Sequence, residues 1–242
     1  LCPGGLSFVC DGSLFRPVTD SFLLGSFPRL KPGLRVCDLG SGTGLLGLLL
    51  LQRQRELSVT GVELLPEAVQ LAEQAAARNG LTDRLTFCRG DLRDIRRLLP
   101  AGSFDLAVCN PPYYPAGSGR LPETEALRAA RSETGCTLED VCAAAAYLLR
   151  WGGALCLVHK PERLADLCCA LRARRLEPKR LRLCQQRPGK APFLLLLECR
   201  RGGRPGMDVG PVLLLEGEDG RPTGELEAIY GDYRDNPEHQ RR

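Results

Sequence analysis

Only one of the 242 residues is methionine and only two are histidine, and four of the 33 basic residues are lysine, at positions 31, 160, 179 and 190. No apolar run comes near the ~18 residues that crossing a bilayer demands; the longest lies around Leu45 to Leu51. No basic start followed by an apolar stretch opens the chain, so no secretory signal is expected. With its lone methionine at Met207, the chain is expected to lack a few native residues before Leu1. No G-x-S-x-G elbow is present, and Gly189-Lys190 runs into Ala191, which rules out a phosphate loop. His159, at an expected strand end, reads as a satisfied near-surface residue or else as part of a substrate loop.

Cysteine is plentiful, at 12 residues, but no C-x-x-C pair occurs, and zinc or iron–sulfur sites need thiolates at short spacing. Cys37, Cys88, Cys109, Cys156, Cys184 and Cys199 sit inside apolar, strand-like runs. They read as small core hydrophobes in a reducing compartment, so a cytoplasmic protein without a metal is expected. No segment suggests a membrane or an obligate protein partner. Hydrophobic residues at 43% and charged residues at 26% suit a soluble chain able to bury a large core.

The net charge of +4 is unevenly spread. Trp151 to Arg204 holds 13 basic residues against Glu162, Asp166, Glu177 and Glu198, a net of +9, which leaves −5 for the rest. The basic stretch reads equally as a solvated face or as a surface for RNA.

Short apolar runs alternate with helical segments. Strands are expected at 34–39, 57–62, 85–89, 104–110 and 154–159, with two more at 180–186 and 193–199 around the turn Arg187-Pro188-Gly189-Lys190. Helices are expected at 44–54, at 66–79 with Pro66 at its first position, from the capping-box-like Thr137-Leu138-Glu139-Asp140 to near Trp151, and from 160 through Arg175. This order predicts an α/β fold: a Rossmann-like, doubly wound, seven-stranded and mostly parallel sheet with one antiparallel strand and helices on both faces. A single domain is expected, with a cap segment at 1–33, a core at 34–200 and a loose glycine-rich tail at 201–242.

Two segments carry chemistry. Asp38-Leu39-Gly40-Ser41-Gly42-Thr43-Gly44 closes the first strand with glycines that let a ligand approach the backbone, and Glu63 ends the second strand, where an acid binds ribose hydroxyls. Gly42 to Gly47 also satisfies G-x-G-x-x-G, so a dinucleotide oxidoreductase has to be weighed. Charge decides against it. A pyrophosphate beside Asp38 would meet a like charge with no basic residue in the loop, whereas the sulfonium and ammonium of S-adenosyl-L-methionine suit carboxylates at Asp38, Glu63 and Asp91. Spacing assigns Asp38 to the methionine end, Glu63 with Leu64 to the ribose, and Asp91 with Leu92 to the adenine edge. The second segment is Asn110-Pro111-Pro112-Tyr113-Tyr114. Asn110 and the Pro111 carbonyl can accept both hydrogens of a planar amine and localise its lone pair, while Tyr113 stacks on a flipped base.

Together, D-L-G-S-G-T-G, the acid at Glu63, Gly90-Asp91-Leu92 and N-P-P-Y resemble class I S-adenosylmethionine-dependent methyltransferases that act on planar amino groups. From about Gly5 to Tyr230 the chain resembles the bacterial tRNA1(Val) adenine-37 N6-methyltransferase family, through Leu14 to Leu24, Val158 to Leu164 and Leu176 to Leu181. Tyr114 and Ser132 depart from the family pattern. The resemblance implies a catalytic Asn110, Pro111, Pro112 and Tyr113, and a cofactor held by Thr19, Asp38, Gly40, Ser41, Gly42, Gly44, Glu63, Leu64, Asp91, Leu92 and Asn110. It implies tRNA as the partner. Methylation of an rRNA base or a protein glutamine, and a non-catalytic RNA-binding module, are the alternatives.

Overall fold

The computed structural model describes residues 5–9, 19–111 and 136–231. Its strands are β1 (Arg35–Leu39), β2 (Ser58–Glu63), β3 (Leu85–Arg89), β4 (Phe104–Cys109), β5 (Leu149–His159), β6 (Leu176–Gln185), β7 (Leu194–Arg201), β8 (Asp208–Val209) and β9 (Leu213–Leu214). Its helices are α1 (Thr19–Ser26), α2 (Leu45–Arg53), α3 (Pro66–Arg78), α4 (Ile95–Leu98), α5 (Leu138–Leu148), α6 (Leu164–Ala173) and α7 (Gly224–Tyr230). The strands form one sheet in the order β3-β2-β1-β4-β5-β7-β6-β8, with β9 also on β6. Only β7 runs antiparallel to its neighbours.

Apolar residues on both strand faces drive this arrangement, as a sheet covered on both sides requires. Val36, Val108, Val158 and Leu196 pack with α1, α2, α3 and α7 on one face. Cys37, Ala107, Leu157 and Leu197 pack with α4, α5 and α6 on the other. The core cysteines share in this: Cys37, Cys109, Cys156, Cys184 and Cys199 are buried thiols, while Cys88 is half-buried. No helix among the described residues is long and apolar enough to cross a membrane.

Three expectations need correction. The helix expected to reach Trp151 stops at Leu148, and β5 starts at Leu149 by pairing with Phe104, while Arg150 reaches Asp105 at 2.6 Å. The strand expected from Arg180 begins four residues earlier, at Leu176, and passes Pro178 by a register shift. The described part of the tail, residues 202–231, is not loose. It supplies β8, β9 and α7, so that the described residues form nine strands rather than the expected seven, and it buries Leu213, Leu215 and Leu226.

In a parallel sheet all the chemistry-bearing loops emerge at one edge. The carboxyl edge here carries the turns after β1, β2, β3, β4 and β5, together with the β6–β7 turn. Its opposite, the amino edge, carries the ends of α5 and α6 and the end of β7.

Candidate active site

At the carboxyl edge β1 and β4 are neighbours, with Leu39 opposite Cys109 and the Cys109 thiol donating to the Leu39 carbonyl at 3.2 Å. The glycine turn and Asn110-Pro111 therefore leave the sheet side by side. Gly40 sits at φ +72° with open space where a side chain would be, and Gly44 at φ +80° caps α2. A Cβ on Gly44 would come within 2.9 Å of the Phe87 ring and 3.2 Å of Ala72, so only glycine fits where the turn meets α3.

Asp38 is buried beneath this turn, near the backbone N–H of Gly47 in the first turn of α2, which tempers the upward shift of its carboxyl. Among the described residues its Oδ2 has no hydrogen-bond partner, nor has the buried Ser41 Oγ. Burial, then the nearby Glu63 carboxylate, pushes the Asp38 carboxyl up to about 7. Two buried oxygens without donors three residues apart are costly unless a ligand supplies them. Glu63 is also buried; its two oxygens accept from Gly42 N at 2.8 Å and Leu65 N at 2.9 Å, tying the two cofactor-type turns together. Leu64, between them, is 47% exposed at the rim.

Asp91 differs from the expectation of a bare carboxylate. Arg93 grips it with Nε at 3.0 Å from both oxygens, and these bonds hold the Asp91 carboxyl below the usual carboxylate range. The row of acids is therefore less negative than its sequence suggests, with Asp91 paired and Asp38 poised to hold a proton. Beside Leu92 and Arg93 a cleft of about 310 Å³ runs along α4 and α5 past Asp140 and Tyr147.

Asn110 Nδ2 donates to Ser21 Oγ at 3.1 Å, a contact across 89 residues of sequence that spacing could not reveal. Thr19, at the start of α1, accepts from the Tyr230 hydroxyl of α7 at 3.0 Å. Pro111 is buried next to Asn110. Pro112, Tyr113, Tyr114 and Ser132 lie outside the described residues, as do residues 10–18. His159 is buried, accepts from the Lys160 N–H at Nδ1, and is pushed down to about 4, chiefly by burial. It is the satisfied terminus rather than an exposed base.

Most of the basic stretch is engaged internally. Arg172 pairs with Glu177, Arg180 with buried Glu198, Arg182 with Glu225 and Arg187 with Glu216, and Lys179 caps the carbonyls of Arg204 and Gly206. Its +9 overstates the charge presented to a partner.

A methyltransferase domain model matches residues 30–187. The tRNA1(Val) (adenine(37)-N6)-methyltransferase of Porphyromonas gingivalis is 34% identical over 195 residues, 78% of this chain and 76% of the relative. Its namesake from Tolumonas auensis is 32% identical over 232 residues, 92% of this chain and 91% of the relative. A solved structure described as a predicted O-methyltransferase from Agrobacterium tumefaciens superposes with a TM-score of 0.73 at 21% identity, covering 88% of this chain and 96% of that one.

Proposed function

The chain belongs to the tRNA1(Val) (adenine(37)-N6)-methyltransferase family, and on that premise we propose that it methylates the exocyclic N6 amine of adenine in tRNA, with S-adenosyl-L-methionine as methyl donor. The observation that carries this reading is the pairing at the carboxyl edge: buried Asp38 and Ser41 oxygens that have no partner among the described residues, one strand from Asn110 and Pro111.

The residues fit the cofactor. Asp38 Oδ2 and Ser41 Oγ suit an ammonium, and the open side of Gly40 leaves the backbone approachable. Glu63 uses one acceptor site on each oxygen for a backbone N–H and keeps lone pairs for ribose hydroxyls. Asp91 and Leu92 would line the adenine side, and Thr19, bonded by Tyr230 at the start of α1, would complete the set. When bound, S-adenosyl-L-methionine supplies a methyl group made electrophilic by its sulfonium.

The chain's own part is to make a delocalised amine nucleophilic. Asn110 Oδ1 and the Pro111 carbonyl accept its two hydrogens and hold its lone pair toward the donor, and Tyr113 stacks on the base. The amine becomes acidic once methylated and sheds its proton to water, so a buried, neutral His159 is no obstacle. The chain, residues 1 to 242, works as one domain in this reading, and a tRNA substrate puts the protein in the cytoplasm.

Asn110→Ala should abolish most turnover on an unmodified tRNA1(Val) transcript while leaving S-adenosylhomocysteine affinity within about twofold, because the amide acts mainly in the transition state. Nucleoside mass spectrometry and calorimetry check the two halves. Near-wild-type N6-methyladenosine formation by this variant would overturn the assignment.

A further inference from the structure

We propose that the cleft along α4 and α5 is a binding site, separate from the methyl-transfer crevice, for a small polyphosphate anion: a free oligophosphate or the phosphate tail of a nucleotide. Its volume of about 310 Å³ is within the range of small-molecule sites, and none of Asp38, Glu63, Asn110 and Pro111 lines it. The trough comes from α5. Asp140, Ala143, Ala144 and Tyr147 share one helical face at the i, i+3, i+4, i+7 spacing, and two side chains that stop at Cβ leave open space between the two longer ones. That face runs roughly 10 Å along the helix axis.

Four arginines line this trough, and acids do not match them. Arg93 and Arg96 come from the segment after β3, Arg174 from the end of α6 and Arg201 from the end of β7. Among the described residues Arg96, Arg174 and Arg201 have no carboxylate partner. The Arg96 guanidinium rests 5.3 Å from the centre of the Tyr147 ring, and Arg201 gives one N–H to the Leu149 carbonyl. Arg93 is the exception, held by Asp91. Asp140 is the one acid among the lining residues, and its Oδ2 already accepts from the Thr137 N–H at 3.0 Å and hydroxyl at 2.9 Å. Elsewhere arginines find carboxylates on neighbouring elements, as Arg172, Arg182 and Arg187 do. Here like charges from three separate elements converge on one cleft, which focuses a positive field that an anion between them relieves. Guanidinium forks match phosphoryl oxygens in geometry as well as in charge. Arg93 feels the charge of Asp140 at one end of the trough and Arg96 covers Tyr147 at the other, so the donors are spread along its length. A chain of two or three phosphoryl groups meets that spread; a single phosphate does not.

The test is calorimetric titration of the full chain with inorganic triphosphate and with ATP. It is run in about 0.15 M salt to screen loose surface binding, with S-adenosylhomocysteine filling the cofactor site. Triphosphate should bind at one site per chain. Arg96→Gln and Arg174→Gln should each weaken it about tenfold, the worth of one charge-assisted hydrogen bond. Arg97→Gln, an equal loss of charge on the next residue of α4 but outside the cleft, should leave it unchanged. Ala143→Phe, which fills the trough without altering charge, should abolish binding. The three arginines are exposed and Ala143 is half-buried, so melting temperature and S-adenosylhomocysteine affinity should stay near wild type; if Ala143→Phe proves unstable, the arginine variants decide. Triphosphate binding at least as tightly as ATP assigns the site to a free oligophosphate, and tighter binding of ATP assigns it to a nucleotide. Three results overturn the proposal: no saturable binding of either compound, a loss in Arg97→Gln equal to that in Arg96→Gln, or full binding by a folded Ala143→Phe protein. The methyltransferase reading is tested by Asn110→Ala and is untouched by any of these outcomes.

Discussion

Asp38, which we propose faces the methionine end of the cofactor, has a carboxyl raised to about 7, and the direction of that shift has two opposite consequences. For the ligand-free fold, the unfolded chain loses this proton near the ordinary carboxylate value of about 4 while the folded chain keeps it to about 7. Its contribution to stability is therefore fully present below about pH 4 and is lost as the pH rises to about 7. A cationic ligand needs the carboxylate, so binding should release a proton, and affinity for S-adenosylhomocysteine should climb between about pH 5 and 7. Calorimetry in buffers of different ionisation enthalpy reads the proton directly. Asp38→Asn should bind more weakly and lose the pH dependence; a wild-type affinity flat across that range would show that the carboxyl is already ionised. The position and sign of Asp38 were legible in the sequence. Its protonation was not, because the shift arises first from burial and then from Glu63, 25 residues away, and Asp91 was misjudged for a related reason: its neutralising partner Arg93 sits two residues on, but only folding closes the grip.

Elements were legible in proportion to their length and burial. Strands buried on both faces announced themselves as apolar runs, and α3 as a helix with Pro66 at its start. The capping box of α5 forms as its pattern implied, with Thr137 and Asp140 exchanging bonds with each other's backbone N–H groups. The tail escaped notice because β8 and β9 are two residues each, too short for any periodicity, and α7 has seven. Its anchoring comes from distant partners: Thr223 caps α7, Arg182 clasps Glu225 with two bonds, and Leu226 is 1% exposed against the core. Leu226→Ala should accordingly cost about 2–4 kcal/mol of stability, read as a lower urea midpoint. Because α7 also braces α1, the same variant should slow methyl transfer more than it weakens cofactor binding. An unfolding free energy within about 0.5 kcal/mol of wild type would show that the tail is only appended to the core.

Across the whole molecule, strand direction sorts the basic residues that sequence had grouped together. Arg187 and Lys190 lie in the β6–β7 turn at the carboxyl edge, the side of Asn110, because β6 runs parallel to the strands that carry the site. Arg174, capping the end of α6, and Arg204, beyond β7, lie at the amino edge. Among the described residues Lys190 and Arg174 carry no ion pair, while Arg187 is half-exposed despite Glu216. An RNA whose base enters beside Asn110 should run its phosphates past the first pair and not the second. Each phosphate contact releases counterions and adds roughly 0.7–0.9 to the log–log salt slope of binding. Reversing Arg187 and Lys190 to glutamate should weaken tRNA binding and flatten that slope by one to two contacts' worth, with cofactor affinity unchanged. The double reversal Arg174→Glu with Arg204→Glu alters net charge equally and should leave the slope alone. Filter binding across a salt series separates local contact from overall charge: equal losses in both variants would mean that tRNA senses only the net field of the protein, and no loss in either would remove both edges from the interface.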